Sequence, residues 1–113
     1  MKLEDIYHFF EHQPTRFINS EVAVCYVLHS LLQKDCYGAE LIQRLGEQHP
    51  VLAVSETVLH QAIRFLEREG WIVRYPQSLD GCGRPRQMFR LLPEACTKAQ
   101  ELAQLWEQFV TYQ

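Results

Sequence analysis

The stretch DGCGRPRQMFRLLPE, residues 80–94, places three arginines around a glycine-containing turn in a chain whose formal net charge is −3. Residues 64–90 together hold six arginines against three acidic residues, which is a local charge of +3 within an acidic chain. Arginine makes forked hydrogen bonds with phosphate groups and with guanine. A local cluster of arginines is therefore the electrostatic pattern of a nucleic-acid-binding surface.

The composition is that of one globular domain. The chain has 113 residues, of which 47% are hydrophobic and 22% charged, enough for a single core. No apolar run reaches eighteen residues, so no membrane helix is expected. The first residues, MKLEDIYHFFEHQ, mix acids with apolar residues and lack a small-residue cleavage site. We therefore expect no export signal and a cytoplasmic location.

Apolar periodicity predicts four helices before residue 71, near residues 1–13, 20–34, 38–47 and 56–69. In the first, Leu3, Ile6, Tyr7 and Phe10 follow the spacing i, i+3, i+4, i+7. Ser20 and Ser55 stand where N-caps of the second and fourth helices would lie, and Gly70 stands at the C′ position of the fourth. The second helix carries a wide apolar stripe, so we expect it at the centre of the core.

The fourth helix has one apolar and one polar face. Its inward positions are predicted to be Leu59, Ala62, Ile63 and Leu66. The opposite face then carries Thr57, His60, Gln61 and Arg64. Such side chains could read base edges in a DNA groove, glutamine suiting adenine and arginine guanine, but an ordinary solvated face would look the same.

After Gly70 the period changes from helical to alternating. Residues 71–75, WIVRY, and residues 87–91, QMFRL, both alternate as strands do. Residues 76–85, ten of the eleven residues between them, include two prolines and two glycines in a run typical of a loop. We therefore predict a β-hairpin with a long tip.

A last helix is predicted over residues 93–113, with Pro93 in its first turn. This helix and the first one carry more apolar surface than a small domain can cover, which indicates a partner, and a symmetric homodimer is the commonest solution. The predicted interface residues are Leu3, Ile6, Tyr7, Phe10, Leu102, Leu105, Trp106 and Phe109.

The order of elements predicts the fold class: mainly α with a small β-hairpin (α+β), as a winged helix-turn-helix with extra N- and C-terminal dimerisation helices. The single domain 1–113 would comprise an N-terminal helix at 1–13, a winged-helix core at 20–91 and a dimerisation helix at 93–113. In that fold the helix after the turn enters the DNA major groove, and arginines beside the hairpin reach phosphates or the minor groove. Glycines in the hairpin let the backbone approach DNA closely.

Two other readings compete with DNA binding. His8, Glu11 and His12 fit the zinc-protease pattern H-x-x-E-H, but no third ligand is evident downstream. The four cysteines form no C-x-x-C pair, and a redox role for Cys82 or Cys96 has only its position in its favour. We therefore expect no enzymatic activity, metal or cofactor. The second alternative is a winged-helix module that binds proteins and not DNA, which the acidic flanks favour and the arginines oppose.

Three segments carry a resemblance to a known family: YGAELIQRL at 37–45, SETVLHQAIRFLEREGWI at 55–72, and GCGRPRQMFRLLPE at 81–94. Together they resemble the PadR-like transcriptional regulators, most specifically in the wing pattern G-x-G-R-P-R-x-x-[FY]-R-L. The resemblance implies a dimeric winged-helix protein, usually a repressor, whose C-terminal helix supplies much of the dimer contact. The residues expected to contact double-stranded promoter DNA are Thr57, His60, Gln61, Arg64, Arg74, Gly83, Arg84, Pro85 and Arg86.

The chain departs from the family pattern at two places. His60 and Gln61 stand where many members have tyrosine and proline, which leaves the operator sequence open, and Leu92 replaces a capping threonine before Pro93. Residues 2–15 and 23–45 are also similar to cyanobacterial period-extender-type regulators tied to the circadian clock, which implies repression of a clock gene's promoter. Members of the family respond to small aromatic ligands or stress signals. Here a pocket for such an effector, whose identity is unknown, would be lined by Tyr7, Phe10, Trp106 and Phe109. The alternative is that these four residues form an ordinary dimer core.

Overall fold

The computed structural model describes residues 1–11, 15–79 and 82–112, without the side chains of residues 9–11, 79 and 82–84. Its helices are α1 (Leu3–Glu11), α2 (Ser20–Gln33), α3 (Gly38–Gln48), α4 (Glu56–Arg68) and α5 (Cys96–Thr111), the last preceded by a 3-10 turn at Pro93–Ala95. Its strands are β1 (Arg16–Phe17), β2 (Cys36–Tyr37), β3 (Leu52–Ala53), β4 (Ile72–Leu79) and β5 (Cys82–Leu91). The predicted helices and the predicted hairpin are thus present. None of the helices in these ranges has the length and apolar character needed to cross a membrane.

Helix α2 lies at the centre of the core, as its wide apolar stripe predicts. Ala23, Val27 and Leu28 are fully buried, and α2 packs against both α4 and α5. The Tyr26 hydroxyl donates a 2.5 Å hydrogen bond to the backbone oxygen of Leu41, which ties α2 to α3. Burial raises the pKa of Tyr26 to about 12, so this hydroxyl remains a donor at physiological pH.

The helix caps follow the sequence with one correction. Ser55 caps α4 as predicted, since its Oγ accepts a 3.1 Å hydrogen bond from the Val58 N–H. The predicted cap of α2 at Ser20 is wrong. Asn19 caps that helix through its Oδ1, which accepts from the Val22 N–H at 2.9 Å, and Ser20 is the first helical residue. Asparagine is as good a cap as serine, so the sequence alone did not separate the two positions.

Gly70 ends α4 in the left-handed conformation, with φ = 75°. We expect Gly70→Ala to lower the free energy of unfolding by ~1 kcal/mol, because an L side chain is strained at this φ. Gly46 is the matched control. It lies inside α3, where an added Cβ meets nothing within 4 Å, so Gly46→Ala is expected to raise stability by ~0.5–1 kcal/mol. Urea denaturation measures the unfolding free energy of both variants. Equal effects at the two sites would contradict the left-handed conformation assigned to Gly70.

The hairpin is longer than the sequence predicts. The expected ten-residue loop at 76–85 is wrong, because β4 and β5 continue to Leu79 and Cys82 with a register irregularity between Gln77 and Leu79. Pro76 pairs with Gln87 inside the ladder. Proline is tolerated there because β4 is the edge strand of the sheet, whose order is β2-β5-β4. We call this β4–β5 hairpin the wing.

Two-residue strands, which the sequence did not reveal, brace the helices. Strand β2 joins the wing by antiparallel pairing of Cys36 with Phe89 and of Tyr37 with Met88. Strand β1 pairs in parallel with β3, with Arg16 opposite Leu52. The first pairing attaches the base of the wing to the start of α3.

The apolar residues of the terminal helices divide into two sets. Trp106, predicted at the dimer interface, is only 2% exposed within the single chain, which corrects that prediction. Its ring lies 5.0 Å from that of Tyr26 and 5.8 Å from that of Phe109, between centroids, so it belongs to the protomer core. Leu105, the adjacent residue, is 51% exposed.

Helix α1, in contrast, has its described apolar side chains in solvent. Leu3 is 63% exposed, Tyr7 61% and Ile6 38%. The predicted contact of Phe10 falls on a side chain outside the described set. The predicted last turn of this helix, at residues 12 and 13, is outside the described residues as well.

Candidate nucleic-acid interface

The polar face of α4 is exposed as predicted. Thr57, His60, Gln61 and Arg64 are all exposed, while Leu59, Ala62, Ile63 and Leu66 on the other side are buried. Helix α4 follows α3 across the short strand β3, and α3 and α4 form the two helices of a helix-turn-helix. The helix therefore presents one continuous row of side chains to a groove of DNA.

Gln61 and His60 lie at opposite edges of this face. The Gln61 Oε1 accepts a 2.9 Å hydrogen bond from the Ser20 Oγ at the start of α2. A bidentate contact with adenine needs both the oxygen and the amide N–H of a glutamine, so this bond competes with base reading through Gln61. His60 instead faces the wing, leaving Arg64 between them on the open surface.

A groove of ≈ 560 Å³ separates α4 from the wing. We call it the wing groove. Its polar lining includes His60 and Glu56 from α4, Arg74 from β4, Arg86 from β5 and Tyr37 from β2. The groove thus brings together predicted DNA-contact residues that are separated by up to twenty-six positions in sequence.

The three described arginines of the wing all lie over aromatic rings, but only two are neutralised by carboxylates. Arg74 binds Glu67 through two hydrogen bonds, of 2.9 Å and 3.3 Å. Arg90 donates to the Oδ2 of Asp35 at 3.1 Å. Arg86 has no carboxylate within ion-pair distance among the described residues, so none of these carboxylates neutralises its charge. The bond to Glu67 competes with the predicted DNA contact of Arg74, whereas Arg90 was not among the predicted contacts.

Asp35 is the centre of a small network that the sequence did not reveal. Its Oδ2 accepts hydrogen bonds from the Tyr75 hydroxyl, at 2.6 Å, and from Arg90. The Arg90 guanidinium carbon lies 4.7 Å from the centroid of the Tyr75 ring. The hydrogen bond to Asp35 raises the pKa of the Tyr75 hydroxyl. The network fixes both wing strands to the turn after α2, and its members are up to 55 residues apart in sequence.

The remaining predicted wing residues are less defined. Pro85 is exposed, while the predicted contacts of Gly83 and Arg84 fall on residues whose side chains are outside the described set.

Arg68, which the sequence reading did not select, is exposed on α4, one turn after Arg64. No ion pair to either Arg64 or Arg68 is found within the described ranges. Arg68 is four positions after Arg64, which places the two side chains next to each other on the surface of α4. This spacing was the sequence signal that could have identified Arg68.

A second, apolar groove of ≈ 580 Å³ lies between α2, α4 and α5. We call it the apolar groove. Its lining includes Val24 from α2, Phe65 from α4, Trp71, and Leu102 and Leu105 from α5. Leu105 and Phe65 leave it partly open, so the chain has an uncovered apolar surface away from the wing groove.

No group of three His, Cys, Asp or Glu side chains in the described part of the chain is arranged to hold a metal ion. His12 of the H-x-x-E-H pattern is outside the described residues. Cys25, Cys36 and Cys96 are free thiols, and burial raises the pKa of Cys25 and of Cys36. A raised pKa keeps these two thiols protonated and unreactive at neutral pH.

Helices α2, α3 and α4 followed by the two-stranded wing define a winged helix-turn-helix fold. The family model described as the transcriptional regulator PadR-like family matches residues 27–95, which span α2 to the turn before α5. The chain belongs to this PadR-like family of transcriptional regulators. No curated protein shows significant sequence similarity to it.

Solved structures agree with this assignment. The chain is similar to the circadian clock associated protein Pex from Anabaena, with 47% identity over 99% of this chain and 97% of that one, and a TM-score of 0.85. Pex from Synechococcus sp. is 44% identical over 97% and 98% of the two chains, with a TM-score of 0.88. Bacillus subtilis PadR in complex with operator DNA shares the fold, with a TM-score of 0.60 and 15% identity over 71% of this chain and 46% of that one.

Proposed function

We propose that the protein is a dimeric, sequence-specific DNA-binding transcriptional repressor. The observation that carries this proposal is the wing groove, where the exposed face of α4 lies beside Arg86 of the wing, a residue that pairs with no carboxylate in the described ranges. Helix α4 would enter the major groove while the wing contacts the adjacent backbone. Membership of the PadR-like family and the operator complex of a protein with the same fold support this reading.

Within this interface we assign two roles. Arg86, with Arg84 of the same wing pattern, supplies affinity through phosphate contacts that do not depend on sequence. Arg64 and His60 read base edges, because both have long hydrogen-bonding side chains exposed on the α4 face and, unlike Gln61, neither is bonded to α2 among the described contacts. Thr57, exposed on α4, and Pro85, exposed on the wing, would contact the DNA backbone. Arg74 is assigned to holding the wing through Glu67.

The dimer would form through α1 and α5. An isolated helix as short as α1 is marginal in water, and its exposed Leu3 and Tyr7 need a partner surface. The apolar groove, with exposed Leu105 and half-buried Leu102, offers such a surface on a second copy of the chain. A two-fold dimer then presents two α4 helices to half-sites about one DNA turn, roughly 34 Å, apart.

The regulated promoter is proposed to belong to a circadian clock gene, since the two Pex structures are similar over nearly the whole chain and one is named circadian clock associated. Repression requires only that a promoter be occupied, which a DNA-binding fold with dimerisation helices supplies. We propose that the protein acts by binding and not by catalysis, in the cytoplasm and on the nucleoid, without a cofactor.

Arg64 provides the test of base reading. On an operator fragment selected from genomic DNA, Arg64→Ala is expected to cost ~1–3 kcal/mol of binding free energy and to relax the preference at one base position. Arg68→Ala is the matched control, since it removes the same charge one turn further along α4. We expect the control to change the affinity for all sequences alike. A uniform loss for Arg64→Ala as well would contradict its role in reading bases.

A further inference from the structure

We propose that Tyr37 is a positioning residue for DNA binding, whose ring holds Arg86 in the wing groove. The inference rests on the proposed function and deepens it. Tyr37 is not on α4 or in the wing, and neither the arginine pattern nor the polar face of α4 points to it. Its role follows from the contact between two elements that are 49 positions apart in sequence.

The contact is a cation–π stack. The Cζ atom of Arg86 lies 4.3 Å from the centroid of the Tyr37 ring, the shortest of the three arginine–aromatic distances described. Arg86 is half-buried, whereas its neighbours Pro85 and Gln87 are exposed. The ring therefore covers the face of the guanidinium. The N–H groups project in the plane of the guanidinium, so its edge stays available for a forked contact with a phosphate.

The pairing of strands explains why these two side chains meet. Tyr37 is opposite Met88 in the antiparallel β2–β5 pair, and Arg86 is two positions before Met88 on β5. Residues two apart on a strand share a face, so Tyr37 and Arg86 are diagonal neighbours across the ladder. Long and aromatic side chains can span that diagonal distance.

Tyr37 is itself held from several sides. It immediately precedes α3, and its backbone N–H donates to Glu40 Oε1 at 3.4 Å. Glu40 in turn forms a 2.7 Å ion pair with Lys34. Burial disfavours the charged form of Glu40, but the bonds from Lys34 and from the Tyr37 backbone outweigh it and lower the pKa of the carboxyl. These contacts fix the backbone of Tyr37, so the ring under Arg86 projects from a fixed point at the start of α3.

The stack matters because the charge of Arg86 is not anchored in any other described way. Arg74 and Arg90 have carboxylate partners that fix them, and their charges are neutralised. Arg86 keeps its charge and is ordered by the Tyr37 ring alone among the described contacts. Ordering the side chain before DNA arrives reduces the rotamer freedom lost on binding, which strengthens binding without adding a contact to DNA.

A double-mutant cycle tests the proposal on a mixed-sequence DNA duplex at several salt concentrations. Tyr37→Leu removes the π face and is expected to weaken binding about 2- to 5-fold, the range of an exposed cation–π contact. Tyr37→Phe retains the face and is expected to bind like the wild type. In the Arg86→Ala background, Tyr37→Leu is expected to add no further loss, because the side chain that it positions is already absent.

The outcomes separate the possibilities. A Tyr37→Leu variant that binds as the wild type does overturns the proposal. A Tyr37→Phe variant as weak as Tyr37→Leu overturns it too, since the hydroxyl would then be the active group. Equal losses of Tyr37→Leu with and without Arg86 would show that it acts through the fold. Wild-type protein that does not bind duplex DNA contradicts the proposed function itself, before the variants are compared.

Discussion

Trp106→Ala is expected to lower the free energy of unfolding of the protein by ~3–5 kcal/mol, the range for removing a large buried aromatic side chain. The Trp106 ring contacts the rings of Tyr26, His49 and Phe109, and it lies in the core where α5 packs on α2. Removing the ring leaves a cavity among residues of two helices that cannot close around alanine without moving α5.

Leu105 is the matched control for this substitution, because it is the preceding residue of α5 but half exposed. Leu105→Ala is expected to change the stability of the single protomer by no more than ~0.5 kcal/mol, and to weaken the proposed dimer. Urea denaturation at several protein concentrations separates the two effects, since only the dimer contribution depends on concentration. Light scattering reports the oligomeric state directly. A stable, monomeric Trp106→Ala protein would contradict the core assignment and restore Trp106 to the interface.

Arg86→Glu is expected to weaken binding to duplex DNA on the order of tenfold to hundredfold at physiological salt, because a repulsive charge would replace a phosphate contact. Each lost phosphate contact lowers the slope of log affinity against log salt by about 1, so a dimer that loses two contacts should show a slope lower by about 2. Titrations of a labelled duplex at four or five salt concentrations measure both quantities.

Lys98→Glu is the control, because it makes the same change of charge away from the wing groove. Lys98 lies on α5 and pairs with Glu101 on the surface of that helix. We expect this variant to retain nearly the wild-type affinity and salt slope. Equal losses for Arg86→Glu and Lys98→Glu would mean that net charge, and not the position of Arg86, governs binding. Thermal denaturation of both variants checks that they remain folded.

Local signals account for the parts of the fold that the sequence predicted. The two ends of α4 were predictable from Ser55 and Gly70, because a serine cap and a left-handed glycine each act within one helical turn. The apolar period of α4 likewise determined which of its faces is exposed. The arginine-containing hairpin was predicted because glycine, proline and arginine cluster within a few positions. Each of these features depends on neighbours close in the chain.

The features that were missed depend on contacts between distant segments. Pro76 and the nearby glycines led to the prediction of a loop. An edge strand tolerates proline, but no local feature of the sequence shows that β4 is at the edge of its sheet. The apolar face of α5 could equally meet α2 or a second protomer, so periodicity alone placed Trp106 on the wrong surface. Arg90 and Asp35, which form an ion pair, are 55 positions apart in the sequence. The sequence alone therefore could not show which arginines pair with a carboxylate.

Selection of genomic DNA fragments by the purified protein at physiological salt tests the central claim most directly, with Arg86→Glu and Lys98→Glu proteins selected in parallel. The wild-type and Lys98→Glu proteins are expected to enrich a few promoter fragments that share a two-fold motif, with half-sites about one DNA turn apart. Arg86→Glu is expected to lose this enrichment. Uniform weak binding by the wild type, or none, would contradict sequence-specific regulation and indicate a winged-helix module that binds proteins.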